Sequence, residues 1–124
     1  MCDVFISANP QSYESRTRSV RLHDVVTSIR LENLHWEVLE EIGQRDGMSV
    51  TQLIEKLYDE LVERRGAVGN FASFLRVSAL RYMALLAQQR IPSDNSVPIR
   101  SLDADQVLQG LPGSWASPTR RVRL

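Results

Sequence analysis

The stretch VVTSIRLENLHWEVLEEI, residues 25–42, changes its period without a break. Up to Leu31 the side chains alternate. Ile29 and Leu31 fall on one face, with Val25 and Thr27 in phase, and Val26, Ser28 and Arg30 fall on the other. This predicts a strand over residues 25–31. From Asn33, a residue suited to N-capping, the apolar residues Leu34, Trp36, Leu39 and Ile42 recur at helical spacing. Glu37, Glu40 and Glu41 take the wet side, and Arg45-Asp46-Gly47 closes the helix, Gly47 being able to adopt the left-handed C′ conformation.

Outward from this stretch, Ser49-Val50-Thr51-Gln52 reads as a capping box opening a second helix. Its apolar face is Leu53, Ile54, Leu57, Tyr58 and Leu61, and Arg64-Arg65-Gly66 ends it. Asn70 caps a third helix running to about Gln89, which is apolar on more than one side. Its Phe71, Phe74, Leu75 and Leu80 predict burial on two sides. Residues 1–21 read as an arm, partly ordered, with one short apolar run at residues 2–6 that suggests a small strand. Residues 22–90 form the domain, and residues 91–124 a proline-containing tail with a basic end at Arg120, Arg121 and Arg123. No internal repeat is read along the chain. The fold class expected is mainly α.

The 124 residues suit one small domain. No apolar run approaches the roughly 18 residues that span a bilayer, and MCDVFISANP has neither a basic n-region nor an apolar segment of signal-peptide length. The single cysteine, Cys2, cannot form an internal disulfide. A cytoplasmic location, with no membrane partner, is expected. The formal net charge of zero conceals a segregation. Residues 1–30 carry +1, residues 31–65 carry −5 and residues 66–124 carry +4. Fourteen of the fifteen bases are Arg, whose planar fork suits guanine and phosphate.

A lone strand leaves backbone donors and acceptors unpaired on both edges, which is costly if they are buried. The expected solution is a homodimer in which the strand pairs antiparallel with its own copy across a two-fold axis. The dimer core would then comprise Ile29, Leu31, Trp36, Leu39, Leu53, Ile54 and Leu57. A strand and two helices are too small to make a core alone.

The order of strand, helix, Gly turn and Ser-capped helix over residues 25–61 resembles the ribbon-helix-helix DNA-binding superfamily. RSVRLHDVVTSIRLENLHWEVLEEIGQRDGMSVTQLI is similar to a bacterial branch with TS-x-R-L-E, a Trp in the first helix and a third helix, here NFASFLRVSALRYM. The resemblance implies a sequence-specific DNA-binding protein, a bacterial transcriptional regulator of repressor type. Such a protein reads the major groove of double-stranded DNA with a two-stranded antiparallel ribbon. Val26, Ser28 and Arg30 would contact bases: Arg30 can pair with guanine, Ser28 can donate or accept, and Val26 can meet a thymine methyl. The phosphate backbone would be met by Arg16, Arg18, Arg21 and His23 before the ribbon. Met48, Ser49 and Val50 would do the same at the N-terminus of the second helix.

Other chemistries fit poorly. Cys2 would become an N-terminal nucleophile after loss of Met1, but that chemistry needs a larger sandwich fold with an oxyanion hole. His23 and Asp24 near Ser28 have no fold context for a triad. His23 and His35 have no Cys or Glu at ligand spacing, so neither a metal nor another cofactor is expected, and no catalytic residue. The competing reading is an antitoxin or adaptor. It would dock a protein partner through the third helix or the tail, and the third helix could also join two dimers into a tetramer.

Overall fold

The computed structural model describes residues 2–118; the basic run Arg120, Arg121 and Arg123 lies outside the described residues. The fold is mainly helical around one two-stranded antiparallel sheet. Strand β1 (Ser15–Leu22) pairs with strand β2 (Val25–Glu32), from Ser15 opposite Glu32 to Leu22 opposite Val25. The ribbon is therefore a hairpin within one chain. This corrects two expectations: most of the arm's second half is a strand, and the strand beginning at Val25 finds its partner upstream instead of across a two-fold axis. The two-residue turn puts His23 at φ 57°. A tight hairpin loop requires that left-handed region, and His enters it more readily than most non-glycine residues.

Strand β1 escapes a sequence reading because its inner face is half polar. Arg16, Arg18, Val20 and Leu22 share that face, and only Val20 and Leu22 are buried and apolar. Helix α3 (Asn33–Arg45) makes the arginines tolerable. The Arg18 guanidinium lies 5.0 Å from the centroid of the Trp36 ring, and its Nη2 donates to Glu40 Oε1 at 2.7 Å. Trp36 Nε1 in turn donates to the Arg16 carbonyl at 2.9 Å. Trp36 and Leu39 are completely buried against the ribbon. The N-cap position falls on Glu32, one residue before the expected Asn33, with no side-chain cap bond. Asn33 instead ties the helix to α2 (Pro10–Tyr13), donating from its backbone N to Glu14 O and from Nδ2 to Gln11 O.

Gly47, at φ 69°, makes the predicted left-handed turn after α3. Gly43 serves a different need, since a Cβ there would stand 2.9 Å from the Met48 carbonyl oxygen. Helix α4 (Val50–Arg65) opens with the predicted capping box: Gln52 N donates to Ser49 Oγ and Ser49 N donates to Gln52 Oε1. Helix α5 (Phe71–Ala87) is capped by Asn70. It buries one side only, through Leu75, Ala79, Tyr82 and Leu85. Val77, Leu80 and Met83 stand exposed on the other, as does Leu34 of α3, so the two-sided burial expected of the third helix is absent within the chain.

The residues expected in a dimer core are covered without a second copy. Ile29, Leu31, Trp36, Leu39, Leu53 and Ile54 are buried by β1 and α5 of the same chain, with Leu57 packed at the margin. Val20 and Leu22 from β1, and Leu75 and Ala79 from α5, complete the cluster.

The segment beyond α5, up to residue 118, docks as a strap. Ile91 and Leu111, with the partly buried Ile99, Leu102 and Val107, the last in α6 (Ala104–Leu108), pack on Tyr82 and Leu85. Arg45, only 5% exposed, fastens it by donating to the carbonyls of Pro92, Asp94 and Val97. The apolar run at the N-terminus is helical, α1 (Cys2–Ile6), and not the small strand expected; its Val4, Phe5 and Ile6 are exposed. Among the described residues no helix is long and apolar enough to cross a membrane.

Candidate nucleic-acid interface

Alternation along both strands gives the hairpin an outer face. On β2 it carries Val26, Ser28 and Arg30; on β1, Thr17, Ser19 and Arg21. All six are exposed. The register sets Thr17 opposite Arg30, Ser19 opposite Ser28, and Arg21 opposite Val26. The face bears two guanidiniums. Glu32, next in phase on β2, is occupied: Arg76 Nε donates to its Oε1 at 2.9 Å. That bond holds the Glu32 carboxyl below its ordinary pKa. Arg76 Nη2 also donates to the Arg30 carbonyl, so α5 grips the end of β2 while the Arg30 side chain stays at the surface.

The turn end of the ribbon is anchored as well. His23 Nδ1 lies 3.3 Å from Asp59 Oδ1, and its ring meets Tyr58 edge-on at 5.4 Å. Tyr58 meets Phe71 edge-on in the same way, and Phe71 stacks on Phe74. This chain of rings joins the hairpin to α4 and α5. A ribbon fixed at both ends presents its six side chains from an ordered backbone, so binding has to order the side chains alone.

The predicted base-contacting residues Val26, Ser28 and Arg30 therefore stand together on the exposed face. The predicted backbone-contacting residues are scattered. Arg21 belongs to the same outer face, directly beside Val26. Arg16 and Arg18 lie on the opposite face, at 3.9 Å and 2.7 Å from Glu40. Arg18 is held between the ribbon and α3, and Arg16 stays exposed at the edge of that inner face. His23 sits at the turn and is engaged with Asp59. At the start of α4, Ser49 is exposed, Met48 is partly buried and the Val50 side chain is in the core. The first helical bond there runs from Leu53 N to Ser49 O. The Val50 and Thr51 amides thus have no acceptor within the helix, which is the arrangement that attracts anions.

Thr17 and Ser19 are the members of the face that sequence reasoning missed. The signal that could have found them is a short repeat, SVRL at residues 19–22 and SIRL at residues 28–31. It corrects the reading that the chain has no internal repeat. Among the described residues no group of three or more His, Cys, Asp or Glu could hold a metal ion, and Cys2 is free and exposed.

The model of one protein family, described as a ribbon-helix-helix domain, matches residues 15–83, which run from the first residue of β1 well into α5. Among solved structures, the chain is similar to an uncharacterized protein from Bordetella pertussis Tohama I. The two are 61% identical with a TM-score of 0.93, over 96% of this chain and 95% of that one. No curated protein matches.

Proposed function

The chain belongs to the ribbon-helix-helix domain family, and from that premise we propose that it is a sequence-specific, double-stranded-DNA-binding transcriptional regulator of bacterial type. In this reading the outer face of its hairpin enters the major groove. The observation that carries the proposal is the exposed, anchored ribbon face with Arg21, Arg30, Ser19, Ser28 and Val26 on one side. A two-stranded antiparallel ribbon fits the major groove, and its outward side chains reach base edges there. The amides of Val50 and Thr51 would hold a phosphate, with Ser49 beside them. A repressor acting in the cytoplasm is the simplest form of this function.

Selection of bound sites from random double-stranded DNA by the purified protein tests the reading directly. A defined site should be enriched. Arg30→Ala should then cost roughly 1–3 kcal/mol of discrimination and relax the preference at one base pair. If Arg30→Ala binds the selected site as tightly and as selectively as wild type, the ribbon is not the reading element.

A second reading, docking of a further copy or of a protein partner on α5, is favoured by the exposed Val77, Leu80 and Met83 beside Leu34. Family membership implies dimerisation, and the strand edge and core once assigned to it are used within the chain. Leu80, 59% exposed, can be changed to Glu without disturbing the core. Leu80→Glu should leave the melting temperature within a few degrees of wild type and lower the mass seen by light scattering to that of one chain. Unchanged mass would remove this face from the interface. Loss of a co-purifying protein with DNA binding intact would favour the adaptor or antitoxin reading.

A further inference from the structure

The repeat and the register together have a geometric consequence. Each cross-strand pair from Ser15 with Glu32 to Leu22 with Val25 brings residue numbers to the same total, so the backbone ladder has a local two-fold axis at every pair, and the repeat selects the one through Ser19 and Ser28. Rotation about it carries each β1 residue onto the β2 residue nine positions later. Ser19 maps to Ser28, Arg21 to Arg30, and Thr17 to Val26, which has the same shape. On the inner face Val20 maps to Ile29 and Leu22 to Leu31. The outer face is thus nearly symmetric in chemistry as well as in backbone. Such a face ordinarily requires two copies of one strand across a molecular two-fold axis. Here the repeat supplies it within one chain.

Resting on the DNA-reading role above, we propose that a single chain reads a quasi-palindromic core. Arg21 and Arg30 each pair with a guanine, on opposite DNA strands, at positions related by the duplex dyad. Arg21 and the residue opposite Arg30, Thr17, are four residues apart on β1. The two arginines are therefore separated by roughly 13 Å along the ribbon. At about 3.4 Å per base pair, that spans about four steps of the duplex. B-DNA has its own two-fold axes normal to the helix, and only a self-complementary core lets both arginines make the same bidentate contact. Ser19 and Ser28 meet the centre of that core, where a hydroxyl accepts or donates with equal ease. Arg21 thereby becomes a specificity-determining residue and not a general phosphate contact.

The test uses the full chain as wild type, Arg21→Ala, Arg30→Ala and the double variant. Both positions are exposed, and circular dichroism checks that each variant keeps its fold. From random DNA the wild type should enrich a core that reads alike on both strands. Arg21→Ala should reduce preference at one base pair by roughly tenfold or more, Arg30→Ala at its dyad mate by a similar factor, and the double variant at both. Inverting the core within fixed flanks should leave wild-type affinity within about threefold. The proposal is overturned if Arg21→Ala leaves every base preference unchanged, or if the two losses fall on the same base pair or on positions unrelated by the dyad. A core that forms only when two chains bind across it would overturn it equally. If the wild type enriches no sequence at all, the DNA-reading role itself falls, and this inference with it.

Discussion

Trp36→Ala should lower the unfolding free energy by about 3–5 kcal/mol, a large fraction of a small domain's stability. Trp36 is fully buried, so truncation opens a cavity under the ribbon. It also removes the indole N–H that holds the Arg16 carbonyl, and the ring over which the Arg18 guanidinium lies. The Arg18 to Glu40 bond would then be left over a void. Urea denaturation followed by far-UV circular dichroism measures the loss. Trp36→Phe separates the contributions, because it keeps most of the packing and leaves only the Arg16 carbonyl without its donor, a change of roughly 1–2 kcal/mol. A destabilisation by Trp36→Ala below about 1 kcal/mol would mean that the hairpin does not rest on α3.

Arg45→Met should detach the strap. Its guanidinium is buried and serves four acceptors, the carbonyls of Pro92, Asp94 and Val97 and the Tyr82 hydroxyl. Tyr82 in turn donates to Glu41 Oε2 at 2.5 Å, and burial raises the pKa of its hydroxyl. Methionine fills much of the same space but offers no donor. The carbonyls would either remain dry and unpaired or regain water by lifting away, and lifting costs less. The expected result is a loss of roughly 3 kcal/mol, with fast amide exchange confined to the segment beyond α5. The hairpin should keep its protection, since none of its contacts passes through Arg45. Uniform loss of protection over the whole chain would show that the strap and the ribbon domain are one cooperative unit.

Where a short segment carries its own signal, the sequence was enough. The Ser49 and Gln52 box, the Asn70 cap and the left-handed Gly47 are local hydrogen-bond or backbone requirements, and each lies where its residues demanded. The same holds for the outer face of β2. Alternation over a few residues with Ile29 and Leu31 inward fixes Val26, Ser28 and Arg30 outward, whatever the strand pairs with. Helix α5 was legible in extent, to within two residues at its end, but not in its burial. Its apolar residues cover more of its circumference than the neighbouring elements of one chain can hide.

Tertiary structure alone decided what β2 pairs with. Strand β1 looked like an arm because Arg16 and Arg18 occupy inward positions. An inward arginine reads as a break in the pattern until a carboxylate and an aromatic ring are known to wait for it. Glu40 and Trp36 supply these from 22 and 18 residues beyond Arg18, on a helix whose own period gives no hint of that use. The strap is a similar case. Ile91, Ile99, Leu102 and Leu111 have no regular spacing, so nothing local predicts their burial. They are held because they pack on Tyr82 and Leu85 while Arg45, at the last turn of α3, donates to three carbonyls of the chain that returns across it. A period in sequence reports which face of an element is wet. Which partner covers the dry face, and whether a charged residue there is satisfied, depends on groups brought close only when the chain has folded.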